Sequence, residues 1–116
     1  MLLGAFFVLQ GLVWVVDPAR AAATLGMPLM DGLGRSTQIG DFASFFLTAG
    51  VMMMLGSRPT RAGLLYLPAA MIGGAAVLRM LAWLFQGADF AALFIAVEVV
   101  TGLVLFRAAT TLDAPR

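Results

Sequence analysis

Apolar residues run along this chain in four long blocks, with the polar residues gathered between them. The first block covers 2–16 and is broken only by Gln10. The second covers 36–55, the third 62–85 and the fourth 90–106, and each is interrupted by one charge: Asp41, Arg79 and Glu98 in turn. Blocks of this length predict α-helices that cross a bilayer, because a span needs about 20 apolar residues at a rise of about 1.5 Å each. The first block is short. Its reach is about 22 Å against a hydrocarbon core of about 30 Å, so it must start at the membrane edge, thin the bilayer or continue past Val16. No basic segment precedes it, and Ala19-Arg20-Ala21 matches a cleavage site only loosely, which favours a span over a secretory leader.

The stretches between the blocks carry turn and cap signals. Asp17-Pro18 pairs a favoured N-cap with a favoured first helical residue, so a short helix is expected over 18–25, ending near Gly26. Residues 27–34 are irregular and apolar, as suits a loop lying along the membrane interface. Gly56 to Arg61 forms a basic turn, and Pro68 is expected to bend the first half of the third span. Gln86-Gly87-Ala88-Asp89 is a tight turn with Asp89 placed to cap the next helix, and 107–116 is a polar tail. The expected fold class is all-α: one domain, a polytopic membrane four-helix bundle with a short interfacial helix after the first span.

Composition strengthens the membrane assignment. Of 116 residues, 62% are hydrophobic and 11% charged, with a mean hydropathy of +1.01. Soluble domains are about 45–50% apolar and about 25% charged, and so small a soluble protein could not hide this much apolar surface. All seven basic residues are Arg, the acids number six and the net charge is +1, which gives no clustered basic face for nucleic acid. Cysteine and histidine are absent, so disulfides, thiolate nucleophiles and imidazole metal sites are excluded. The run Met52-Met53-Met54 is no metal box either, because consecutive helical residues face different directions. No GxSxG, P-loop, HExxH or paired nucleophile and base is present. A non-enzymatic protein with no cofactor and no metal is expected.

Four spans place both termini on one side, together with Arg58, Arg61, Arg107 and Arg116; Arg20 and Arg35 fall on the other. The excess of arginine predicts cytoplasmic termini. Trp14 and Trp83 then fall near the outer boundary and Tyr66 near the inner one, as interface anchors do. The same topology sets Gln10, Asp41, Arg79 and Glu98 about 7–13 Å beneath the outer face, so four helices offer polar groups in one layer. A charge in hydrocarbon costs at least about 2.5–3.5 kcal/mol and persists when paired, hydrated or used. Arg79 is the natural centre, since its guanidinium can donate to two carboxylates at once. Asp41 with Ser44 and Thr48, Glu98 with Thr101, and Arg79 with Trp83 and Gln86 share helix faces expected to point inward. Ala69-xxx-Gly73, Ala70-xxx-Gly74 and Gly40-xxx-Ser44 would let helices approach. Three uses of the polar layer stay open: fixing helix register, binding a ligand or partner, and carrying protons or ions.

The layout of a span, a proline-started helix from Pro18 and three closely spaced spans resembles the DoxX-like families of small bacterial four-helix membrane proteins. So do Gly40-Asp41-Phe42-Ala43-Ser44-Phe45-Phe46 and the Arg79 and Glu98 pair across a Gly-Ala-Asp turn. Where those families often carry an Arg and small glycines early in the second span, this chain has Asp41. The resemblance implies a bundle in a bacterial inner membrane and no agreed activity. The expected role is that of an accessory or self-associating subunit of a membrane complex, partnered by lipids and by its own copies or a larger assembly. Its charged core would organise helices and hold a lipid or quinone-like ligand. The alternative is a proton- or ion-coupled transporter or channel subunit using Asp41, Arg79 and Glu98.

Overall fold

The computed structural model of the chain describes residues 2–112. Arg116 and the end of the polar tail lie outside the described residues. Among the described residues the structure is all-helical, with five α-helices: α1 (Leu2–Val16), α2 (Pro18–Thr24), α3 (Gly32–Gly56), α4 (Tyr66–Phe85) and α5 (Ala92–Leu112), plus a 3-10 helix at Pro59–Leu65. The chain divides into two units, the first running to Met54 and the second starting at Leu55.

In the first unit the chain breaks at Asp17. Its carboxylate accepts the Arg20 backbone N–H at 3.4 Å, and Pro18 opens α2. The alanines of α2 then fold back on the end of α1. Ala21 and Ala22 join Trp14 and Ala43 in a buried cluster, with Phe42 and Phe46 packed against it. Higher up, α1 and α3 touch backbone to backbone. A Cβ on Gly50 would lie 2.7 Å from the Val8 nitrogen and 2.8 Å from the Gly4 carbonyl oxygen, so only glycine allows this approach. Helix α3 begins at Gly32, earlier than the expected 36. The Asp31 carbonyl accepts the Arg35 N–H at 3.3 Å, and the Arg35 side chain returns to the Met30 carbonyl at 2.9 Å and the Asp31 carboxylate at 3.1 Å. The first of these is the opening i→i−4 bond of the helix, and the side-chain bonds tie Arg35 back to the residues just before it, so 32–34 belong to α3.

In the second unit the expected single helix over 62–85 is two pieces. Residues 59–65 form the 3-10 helix, with a kink at Arg61 (φ −129°, ψ 19°), and α4 starts at Tyr66. Pro68 therefore sits in the first turn of α4, where a missing N–H costs nothing, and the kink expected in the first half of the span falls at Arg61 instead. Helix α4 ends in a tight turn: Ala88 N–H reaches the Ala82 carbonyl at 3.3 Å, and Gly87 takes the left-handed conformation at φ 69°. Asp89 does not cap α5. The first intrahelical bond of α5 is accepted by Ala91, whose carbonyl binds the Ile95 N–H at 2.9 Å, two residues further on. Helix α5 also continues past 106 and takes in Arg107.

Three segments are long and apolar enough to cross a membrane: Gly32–Gly56, Pro59–Phe85 and Ala92–Leu112. Helix α1 is apolar but has 15 residues. The protein is thus a small membrane protein built of helices. Large apolar side chains such as Leu78, Leu84, Leu93 and Leu103 stand open along α4 and α5, as expected of surfaces solvated by acyl chains.

Candidate functional site

Helices α4 and α5 form an antiparallel hairpin whose cross-helix pairs follow one register. Tyr66 meets Phe106 edge-on with ring centroids 5.8 Å apart, and at the other end Trp83 meets Phe90 at 4.9 Å. Between them the backbones come close. A Cβ on Gly102 would lie 3.3 Å from the Gly73 Cα and nitrogen and 3.5 Å from the Ala69 carbonyl oxygen. This approach brings long side chains one to two turns away within reach of the facing helix.

Arg79 uses that proximity. It lies six residues before the end of α4, and Glu98 six residues after the start of α5, so each is about 9 Å along its helix from the connecting turn. The Arg79 Nε donates to Glu98 Oε1 at 2.8 Å, the length of a charge-assisted bond. Phe94, one turn before Glu98, places its ring 4.8 Å from the guanidinium carbon, within cation–π range. Glu98 and Phe94 together hold the Arg79 side chain against α5. The pair is not sealed: 34% of the Arg79 side chain and 18% of the Glu98 side chain remain exposed. Among the described residues Arg79 hydrogen-bonds through Nε alone, and its terminal guanidinium nitrogens, four of its five donors, are left for another partner.

The structure thus brings Arg79 and Glu98 together, and Asp41 lies in the first unit. It is exposed on α3, where it lines a groove of about 430 Å³ with Met30, Leu33, Thr37 and Phe42. The early start of α3 puts Asp41 nine residues into its helix, about 14 Å along it. Ser44 and Thr48 are exposed on the same helix, and Gln10 and Thr101 are half-buried. Of the three expected anchors, Trp14 is 1% exposed and stacked on Phe42 at 5.1 Å with an interplanar angle of 12°. Its role in the structure is core packing of the first unit. Trp83 and Tyr66 are partly exposed.

Gln38 is the residue that sequence reasoning missed. It is 5% exposed and clamps the loop before α3. Its side-chain oxygen accepts the Met30 N–H at 2.7 Å, and its amide nitrogen donates to the Pro28 carbonyl at 3.1 Å and approaches the Met27 sulfur at 3.8 Å. A signal was present. Residues 27–30 are Met-Pro-Leu-Met, which offer no side-chain hydroxyl, amide or charge, so their backbone groups need an outside partner.

No protein-family model matches the chain, and it matches no curated protein and no solved structure.

Proposed function

We propose that the chain is a non-enzymatic protein of the bacterial inner membrane that serves as an accessory or self-associating subunit, with its Arg79–Glu98 pair as the polar contact of that assembly. The observation that carries this reading is the open guanidinium. An Arg within an apolar span, tied to one carboxylate oxygen and one ring, still presents donors to its surroundings. Lipid tails cannot satisfy them, whereas a neighbouring subunit or a ligand with oxygen acceptors can. A quinone-like or lipid molecule supplies such acceptors. Asp41, exposed in its own apolar groove, offers a matching negative contact to a cationic side chain of a partner. The reading includes a four-span bundle with α1 crossing, α2 lying at the interface, both termini in the cytoplasm, and kinship to the DoxX-like proteins.

Purification in mild detergent tests it. Light scattering and cross-linking are expected to show an oligomer or a co-purifying partner or ligand, with Arg79→Gln weakening the association. A strictly monomeric particle that carries neither lipid nor partner overturns it. The partial exposure of Glu98 also favours a second reading, proton- or ion-coupled transport. That reading predicts flux across liposomes that falls in Glu98→Gln, and the absence of flux in every ion and proton assay removes it.

A further inference from the structure

A second feature of the α4–α5 hairpin lies at its opposite end, away from Arg79 and Glu98. Close approach at Gly73 and Gly102 leaves an apolar groove of about 510 Å³ on the outside of the two helices, floored by Ala69, Ala70, Gly73 and Gly102 and closed at one end by Tyr66 and Phe106. The floor is open at Gly73, where a Cβ would meet no atom within 4 Å. Two residues upstream of Tyr66 a separate concavity of about 480 Å³ begins, formed by Thr60, Arg61, Gly63 and Leu64 on the 3-10 helix. The 3-10 helix packs on α5, so both concavities belong to the same end of the unit.

Charge at this end is one-sided. Arg58, Arg61 and Arg107 are all exposed there, and none makes a side-chain hydrogen bond or ion pair among the described residues. Of the described acids in this unit, Asp89 sits in the turn at the far end and Glu98 is engaged by Arg79. An apolar groove with a tyrosine at its end, on the end of the unit that carries three unneutralised arginines, suits a molecule with both a tail and a negative charge. We propose that this face binds an anionic phospholipid, with an acyl chain in the Tyr66–Phe106 groove and the phosphate held by Arg61 and Arg107, with Arg58 nearby. Arginine suits the task because its planar fork contacts phosphate oxygens in pairs and it stays charged at any relevant pH. A juxtamembrane basic cluster alone attracts a negative surface diffusely. The trough beside it selects a molecule that carries the charge and the tail together. The inference requires α4 and α5 to lie in a membrane, but not that the chain self-associates.

The test reconstitutes the full chain in nanodiscs of equal phosphatidylglycerol and phosphatidylcholine, extracts it in mild detergent, and reads retained lipid by native mass spectrometry together with oligomeric state. Phosphatidylglycerol is expected to be retained over phosphatidylcholine. Arg61→Gln and Arg107→Gln should each lower that preference about fivefold, while lysine at the same positions keeps it. Ala70→Phe fills the trough and should reduce retention of both lipids. Should that variant fail to fold by circular dichroism, Gly73→Val replaces it, since its side chain enters the same open space. Equal retention of the two lipids by the unaltered protein overturns the proposal. So does unchanged retention in the folded trough variant, or release of the lipid by millimolar free glycerol phosphate, which would show recognition of phosphate without a seated chain. A monomer that retains phosphatidylglycerol would overturn self-association and leave this inference standing; an oligomer without that preference would do the reverse.

Discussion

Gly40 and Gly50 lie on the same helix, ten residues apart, and alanine at each should have opposite effects. Both are interior to α3, so both substitutions relieve the same helical penalty of about 1 kcal/mol. Their surroundings differ. At Gly40 a Cβ meets nothing within 4 Å. At Gly50 it would lie 2.7 Å from the Val8 nitrogen, 2.7 Å from Val8 Cγ2 and 2.8 Å from the Gly4 carbonyl oxygen, and two of these atoms are backbone that no rotamer change can move. Since nonbonded contacts settle at about 3.5 Å, α1 would have to retreat by about 0.7 Å there. A gap of that size forfeits about a quarter to a half of each contact along the seam, and forced overpacking costs about 1–3 kcal/mol. The propensity gain cancels between the two variants, which leaves Gly50→Ala less stable than Gly40→Ala by about 1–3 kcal/mol. Unfolding in mixed micelles, titrated with denaturing detergent and followed by circular dichroism, reads the difference directly. Matching midpoints for the two variants would refute the claim that α1 and α3 meet backbone to backbone.

Three further outcomes are expected. Arg79→Leu should destabilise more than Asp41→Asn, by about 1–3 kcal/mol after allowing for partial exposure, because it removes both the 2.8 Å bond and the Phe94 contact and strands Glu98 within a span; equal melting temperatures in detergent would contradict it. Gln38→Leu should cost about 1–3 kcal/mol by leaving the Met30 N–H and Pro28 carbonyl without partners, seen as faster hydrogen exchange at Met30 and quicker proteolysis of the loop before α3; unaltered exchange at Met30 would sink it. Asp17→Ala should cost about 0.5–1 kcal/mol, the low end for an N-cap because the bond is long and exposed, read as a loss of helical signal on heating.

The sequence revealed those elements that depend on local chemistry. Asp17-Pro18 marked the short helix because capping and the fixed proline φ act on neighbouring residues alone, and α1 ends and α2 begins where that chemistry puts the break. The starts of α3 and α4 were misplaced for a different reason. Arg35 stabilises the entrance of α3 by reaching back to Met30 and Asp31, and hydropathy counts such an Arg as a terminator. Pro68 looked like an interruption because the apolar block ran through it, whereas the chain changes to 3-10 geometry before it. At the candidate site, the Arg79–Glu98 bond joins opposite charges that stand six residues either side of a short turn, a spacing that becomes visible once the helix ends are known. Phe94 was not foreseeable: many phenylalanines line these helices, and only the crossing at Gly73 and Gly102 selects the one that faces the guanidinium. Gln38 was hidden because its partners are main-chain groups, which every sequence has and none advertises.

The tight turn at Gly87 bears on how the charges ever enter the bilayer. A lone helix delivered to hydrocarbon with an arginine in its middle meets a steep barrier, and so does one carrying a glutamate. Here a handful of residues separates the two helices, and the opposite charges stand equally far from the bend. The two segments can leave the insertion machinery as a closed hairpin whose charges already offset one another. Lengthening that bend would then impair biogenesis before it altered anything in the finished protein.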